Sequence, residues 1–117
     1  MKVLIIIHDA PYGNEKAYNA LRQAMMVQKE HSEISLRIFL MADSVTCAIK
    51  DQITPNGYYN IERMLKSILC NRGEIKLCGT CLDARGLKDT LMLEGTQRST
   101  MSEFTNWVLD SDKVISF

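Results

Sequence analysis

Residues 3–7 form an unbroken apolar run rich in β-branched side chains, the pattern of a strand covered on both faces as in a parallel sheet. His8-Asp9-Ala10-Pro11-Tyr12-Gly13 interrupts it as a loop. From residue 15 to about residue 29, Ala17, Leu21, Ala24, Met25 and Gln28 recur at helical spacing behind Asn14, a residue suited to the N-cap. Ile34, Leu36, Ile38 and Leu40 then alternate with Ser35, Arg37 and Phe39, which predicts a second strand. Asp43 heads a short helix over residues 44–49.

Thr54-Pro55-Asn56-Gly57 reads as a turn, followed by a helix over residues 58–71 that carries Ile61, Met64, Leu65, Ile68 and Leu69 on one face, with Gly73 at its C-terminal cap. Residues 74–78 are the third strand, closed by Gly79. A short fourth strand is expected around Leu91-Met92-Leu93. A capping box, Ser99 with Ser102 or Thr100 with Glu103, opens a helix to about residue 110 that buries Phe104, Trp107 and Val108. Residues 112–117 form the last strand. Strand–helix alternation without repeats or low-complexity linkers predicts one three-layer α/β/α domain over residues 1–117.

Composition narrows the class. Apolar residues at 46% and charged residues at 24% fit a globular chain, and 117 residues suffice for one core. Fourteen basic and fourteen acidic side chains, dispersed along the chain, disfavour direct nucleic-acid binding, which needs clustered positive charge. No stretch is long enough to span a bilayer, and the first apolar run stops too soon for a signal peptide. A cytoplasmic location, with reduced thiols, is the expectation.

Chemistry concentrates in Lys76-Leu77-Cys78-Gly79-Thr80-Cys81-Leu82-Asp83-Ala84-Arg85-Gly86. Cys78 ends a strand beside a turn, at the carboxyl edge where parallel sheets place ligands and reacting groups. The same topology brings His8-Asp9 and Met41-Ala42-Asp43 to that edge, with Tyr12, Asp43 and Thr46 as wall residues. Amides at the turn lower a thiol pKa, and Arg85 adds positive charge. A Cys78 thiolate could attack a sulfane donor and hold a persulfide. A Cys-x-x-Cys pair could instead cycle between dithiol and disulfide, although Gly86 leaves room for only one helical turn where thioredoxin-type motifs open a long helix. One such pair is too few ligands for zinc, and no glycine-rich phosphate cradle is present. Cys47 and Cys70, without partner motifs, are expected to be packing residues. His8 reads as an ordinary hydrogen-bonding residue.

Over almost the entire chain the sequence resembles the DsrE/DsrF-like family of small sulfur-relay proteins, in its YchN-type branch. The resemblance is carried by Asp9-Ala10-Pro11-Tyr12-Gly13, Leu36-Arg37-Ile38-Phe39-Leu40-Met41-Ala42-Asp43-Ser44-Val45-Thr46, Gly57-Tyr58-Tyr59-Asn60-Ile61, the segment from Lys76 to Gly86, and Asp112-Lys113-Val114-Ile115-Ser116-Phe117. It implies a five-stranded, mostly parallel sheet of the DsrEFH type and assembly into homotrimers or hexamers. It also implies that Cys78 accepts and passes on sulfur as a persulfide, exchanging it with donor and acceptor proteins. Cys81 belongs to the YchN-type pattern rather than to all relay members; in the leading reading of the residues it resolves or releases the sulfur. Where that branch often has a small amide residue after the first strand, this chain has His8. No organic cofactor is required. Two other readings stay open: a structural or regulatory binding module that holds a small ligand or partner at the same edge, and a Cys78/Cys81 dithiol oxidoreductase.

Overall fold

The computed structural model describes all 117 residues. Five strands, β1 (Lys2–Ile7), β2 (Ser35–Leu40), β3 (Glu74–Cys78), β4 (Gln97–Ser99) and β5 (Lys113–Ser116), form one sheet in the order β4-β3-β2-β1-β5. Every neighbouring pair is parallel, with Ile5 opposite Ile38 and Ile38 opposite Ile75 in the centre. The chain therefore steps outward from β1 to β4 and returns across the sheet to place β5 beside β1. Helices α1 (Lys16–Glu30) and α2 (Ile61–Cys70) pack together on one face, and α4 (Met101–Asp110) covers the other. A three-layer α/β/α domain results.

Side-chain alternation distributes the strand residues between these layers. Arg37 and Phe39 face α4, where the Phe39 ring lies 4.4 Å from Phe104 and 6.3 Å from Trp107. Their neighbours Leu36, Ile38 and Leu40 turn toward α1 and α2, and all are buried. Arg37 is tolerated inside because its guanidinium reaches Asp110 at 2.9 Å and lies over the Trp107 ring. Lys76 sits over the same indole, 4.6 Å from its centroid.

Several boundaries differ from the sequence reading. The first helix begins at Lys16, whose N–H donates to Asn14 Oδ1, so Asn14 caps from one position further out than expected. Met25 and Gln28 are only half-buried. Tyr58 and Tyr59 lie outside α2, which starts after Asn60, whose side chain accepts the Arg63 N–H. Arg72, not Gly73, takes the left-handed conformation after that helix, at φ 69. Gly73 is required for space: a Cβ there would lie 2.5 Å from Ile68 Cγ2 and 2.8 Å from the Ile68 carbonyl.

The fourth strand is misplaced in the sequence reading. Leu91-Met92-Leu93 is not a sheet strand; it makes one antiparallel bridge to Ile49 and buries Met92 and Leu93 against the core. The strand is Gln97–Ser99, a short edge strand with two exposed polar residues, which the apolar pattern does not mark. Of the two capping alternatives, Thr100 is the cap, accepting the Glu103 N–H, while Ser99 donates to the Glu103 carboxylate. The short helix expected over residues 44–49 is a 3₁₀ helix that starts two residues earlier, Ala42–Ala48.

The loop after that 3₁₀ helix depends on a buried carboxylate. Glu62 accepts the N–H groups of Asp51 (3.2 Å) and Gln52 (2.9 Å), and Lys66 lies 3.5 Å away. Burial alone would raise its pKa, but those amides and Lys66 outweigh it and hold the carboxyl below its ordinary range. A carboxyl lowered in the folded state contributes stability above its unfolded pKa and loses it as pH falls through the folded value. Glu62→Gln is expected to cost about 1–3 kcal/mol at pH 7. Urea unfolding at pH 7 and near pH 3 should show the gap between variant and wild type narrowing in acid; a pH-independent gap would contradict this role.

Candidate functional site

Strand β3 ends on Cys78 and helix α3 (Gly79–Ala84) begins at the next residue, so Cys78 stands at the helix N-cap and Cys81 at its third position. Gly79 permits this junction: a Cβ there would approach the Ser99 carbonyl to 2.9 Å and Arg98 Nε to 3.1 Å. Arg85 and Gly86 close the helix after six residues, Gly86 at φ 66, the brevity expected from sequence.

Cys78 is 5% exposed, and its Sγ lies 3.3 Å from Thr80 Oγ1. Burial pushes its pKa up; the Cys81 thiol, the Thr80 hydroxyl and the amides of both residues push it down and prevail, so Cys78 ionises below an ordinary thiol. Cys81 shifts the other way. Burial and the neighbouring Cys78 raise its pKa more than the Ala42 amide and the Arg85 charge lower it. The pair thus holds its first negative charge on Cys78, with Cys81 protonated beside it.

Cys81 is fixed from the end of β2. Ala42, in the left-handed region at φ 54, donates its N–H to Cys81 Sγ at 3.2 Å. Asp43 Oδ1 receives Arg85 Nε at 3.0 Å and Nη2 at 2.7 Å, and Arg85 Nη1 returns to the Cys81 carbonyl at 3.1 Å. Cys81, Ala42, Asp43 and Arg85 therefore close a ring of contacts between the β2 and β3 exits. Thr46 supports it indirectly, its hydroxyl donating to the Asp43 carbonyl within the 3₁₀ turn.

Other candidates are placed elsewhere. The Tyr12 hydroxyl donates to Gln52 Oε1 at 2.6 Å and accepts the Ile61 N–H, and its ring lies 5.9 Å from Tyr59. It belongs to a cluster with Tyr18, Tyr58 and Tyr59, and its polar contacts are not with the cysteines. His8 Nδ1 lies 3.0 Å from the Phe117 carbonyl, tying β1 to the chain end. Cys47 is buried, as expected, with its pKa pushed up to about 12, chiefly by burial. Cys70 contradicts the packing expectation: as the last residue of α2 it is exposed. A groove of about 620 Å³ runs between α1 and α2 beside Tyr18, Met25 and Met64. The cysteine edge does not border it.

Three contributors escaped the sequence reading. Thr80 was legible, since the residue before the second cysteine of such a motif lies in the first helical turn. Ala42 was not, because alanine gives no sign of a left-handed backbone. Arg98 was hidden by the misplaced fourth strand; it packs over Gly79, pairs with Asp83 at 2.6 Å, and its charge reaches Cys78. Asp83 is thereby turned to Arg98.

Thr80→Ala removes one donor from the Cys78 thiolate and should raise its pKa. Alkylation of Cys78 by iodoacetamide at pH 7, followed by peptide mass, is expected to slow by about two- to fivefold, with its pH midpoint displaced upward. An unchanged midpoint would remove Thr80 from the site.

A parallel α/β sheet with a cysteine at one strand exit defines a class, and the chain belongs to the DsrE/DsrF-like family, whose pattern matches residues 1–117. It is 38% identical over 116 residues to Protein YchN of Escherichia coli K12, covering 99% of this chain and 98% of that one. An uncharacterized protein of Methanopyrus kandleri, MK0008, is 39% identical over 115 residues, covering 98% and 93%. The crystal structure of the E. coli ychN protein superposes with a TM-score of 0.91 at 37% identity and full coverage of both chains. The MTH1491 structure from Methanobacterium thermoautotrophicum, at 13% identity and a TM-score of 0.75 over 99% of this chain and 98% of that one, shares the fold. No helix is long and apolar enough to cross a membrane.

Proposed function

We propose that this protein is a sulfur carrier in which the Cys78 thiolate takes sulfane sulfur from a donor and holds it as a persulfide. The observation that carries this reading is the set of donors converging on Cys78 Sγ, which favours the thiolate in a position where burial opposes it. The thiolate attacks the outer sulfur of a persulfide donor, the donor thiolate leaves, and Cys78 gains one sulfur atom. Cys78 itself is 5% exposed, so its own sulfur is held largely out of bulk solvent. Arg98 lies on this side of the pair, whereas the charge of Arg85 falls on Cys81. Wild-type protein incubated with glutathione persulfide and desalted should gain one sulfur by intact mass, mapped to the peptide containing Cys78; an unchanged mass would defeat the reading.

We also infer self-association. Strand β5 is a sheet edge with every residue exposed, Val114 and Ile115 among them, and such an edge invites pairing. Sedimentation velocity should show a species larger than 13.3 kDa. A monomer at all concentrations would leave the edge unexplained and the inference wrong.

A further inference from the structure

We propose that Cys81 discharges the Cys78 persulfide as hydrosulfide, closing a Cys78–Cys81 disulfide that a dithiol reductant must reopen. This rests on the reading of Cys78 as the sulfur-bearing residue, and it adds a product and a second reactant.

Position supplies the first argument. A side chain at the third helical residue reaches back to the N-cap, as the acid of a capping box does, and Cys81 stands in that relation to Cys78. Each thiol feels the other. The second argument is what surrounds Cys81. A thiol that only donated a proton to Cys78 would gain nothing from donors aimed at its own sulfur. Cys81 nevertheless receives the Ala42 N–H at 3.2 Å, from a residue held in a conformation unfavourable for alanine. Arg85, clamped by both of its Asp43 contacts and bonded to the Cys81 carbonyl, brings positive charge to the same sulfur. Such an environment stabilises negative charge developing on Cys81, as nucleophilic attack requires.

The order of events follows from where the charge sits. While Cys78 is a thiolate, it keeps Cys81 protonated. Once an outer sulfur caps Cys78, the anion moves one bond outward, and transfer of the Cys81 proton to that outer sulfur leaves Cys81 a thiolate and makes Cys78 Sγ electrophilic. Cys81 Sγ then attacks Cys78 Sγ: the Cys81–Cys78 S–S bond forms and the bond from Cys78 to the outer sulfur breaks. The electron pair of the broken bond leaves with the outer sulfur, which carries the proton taken from Cys81 and departs as hydrosulfide. Cys81 is oxidised from thiol to disulfide, and the departing sulfur is reduced to sulfide. A dithiol, oxidised in turn to its own disulfide, restores both cysteines. The protein would stand between a reaction that makes persulfides and one that consumes sulfide.

The test follows loaded protein in time. Reduced wild type and Cys81→Ser, with Cys81→Ala in parallel should serine disturb the helix, are loaded briefly with glutathione persulfide and desalted. Intact mass and trapped sulfide are then measured without reductant. Wild type should pass from a gain of one sulfur to a loss of two hydrogens, releasing about one hydrosulfide per loaded chain. In the variants the adduct should persist at least about tenfold longer. An adduct equally long-lived in wild type, or lost without a disulfide, would overturn the discharge step while leaving the carrier intact. If neither variant nor wild type ever gains sulfur, the reading of Cys78 falls and this inference falls with it.

Discussion

Cys78→Ser is expected to gain no sulfur from glutathione persulfide while keeping a urea unfolding free energy within about 1 kcal/mol of wild type. Serine suits an N-cap and keeps a small side chain beside Thr80, so the β3–α3 junction should survive. What serine lacks is an accessible anion at neutral pH and a sulfur that can hold a second one. The remaining cysteines cannot substitute by the same chemistry. Cys47 is buried and ionises only near pH 12, and Cys70 lies exposed at the end of α2 without the donors that act on Cys78. Cys70→Ser should therefore load like wild type. Loading that is unchanged in Cys78→Ser would remove the carrier assignment. Thiol titration would then decide for a binding module if Cys78 and Cys81 both react slowly with ordinary pKa values.

Phe39→Ala should be the most destabilising single change in the sheet, at about 3–5 kcal/mol. Phe39 lies on β2 with 1% exposure, and it is the strand residue onto which both Phe104 and Trp107 of α4 pack. The opposite face has two helices to share the burial, whereas this face has one, so the cavity left by alanine has few neighbours to collapse into it. Against a typical total of about 5–15 kcal/mol, such a loss approaches global unfolding. A thermal midpoint lowered by more than about 10 °C is expected. A shift of only a few degrees would mean that α4 is held mainly by its polar contacts, Asp110 with Lys2 and Arg37 and Glu103 with Lys76.

Strands β1, β2 and β3 were legible because each is buried on both faces or alternates strictly, and burial writes itself into hydrophobicity. Strand β4 was not. Its membership rests on backbone bonds to β3, which Gln97 and Arg98 make as readily as any residues, while the apolar run Leu91-Met92-Leu93 is buried without entering the sheet. Helix interiors were read correctly and their ends less well, since a cap is decided by one or two hydrogen bonds.

The site divides along the same line. Sequence alone determined that Cys78 ends a strand at the carboxyl edge, that Cys81 follows within one helical turn, and that the helix is short, because spacing and glycine placement are local facts. Tertiary structure decided which of the two thiols carries the charge and what each one faces. Ala42 reaches Cys81 across 39 positions of the chain, Asp43 holds Arg85 across 42, and Arg98, 20 positions from Cys78, comes from the neighbouring strand β4. No periodicity records such approaches. They exist because parallel strands deliver their carboxyl ends to one edge, where residues remote in sequence set each other's electrostatics.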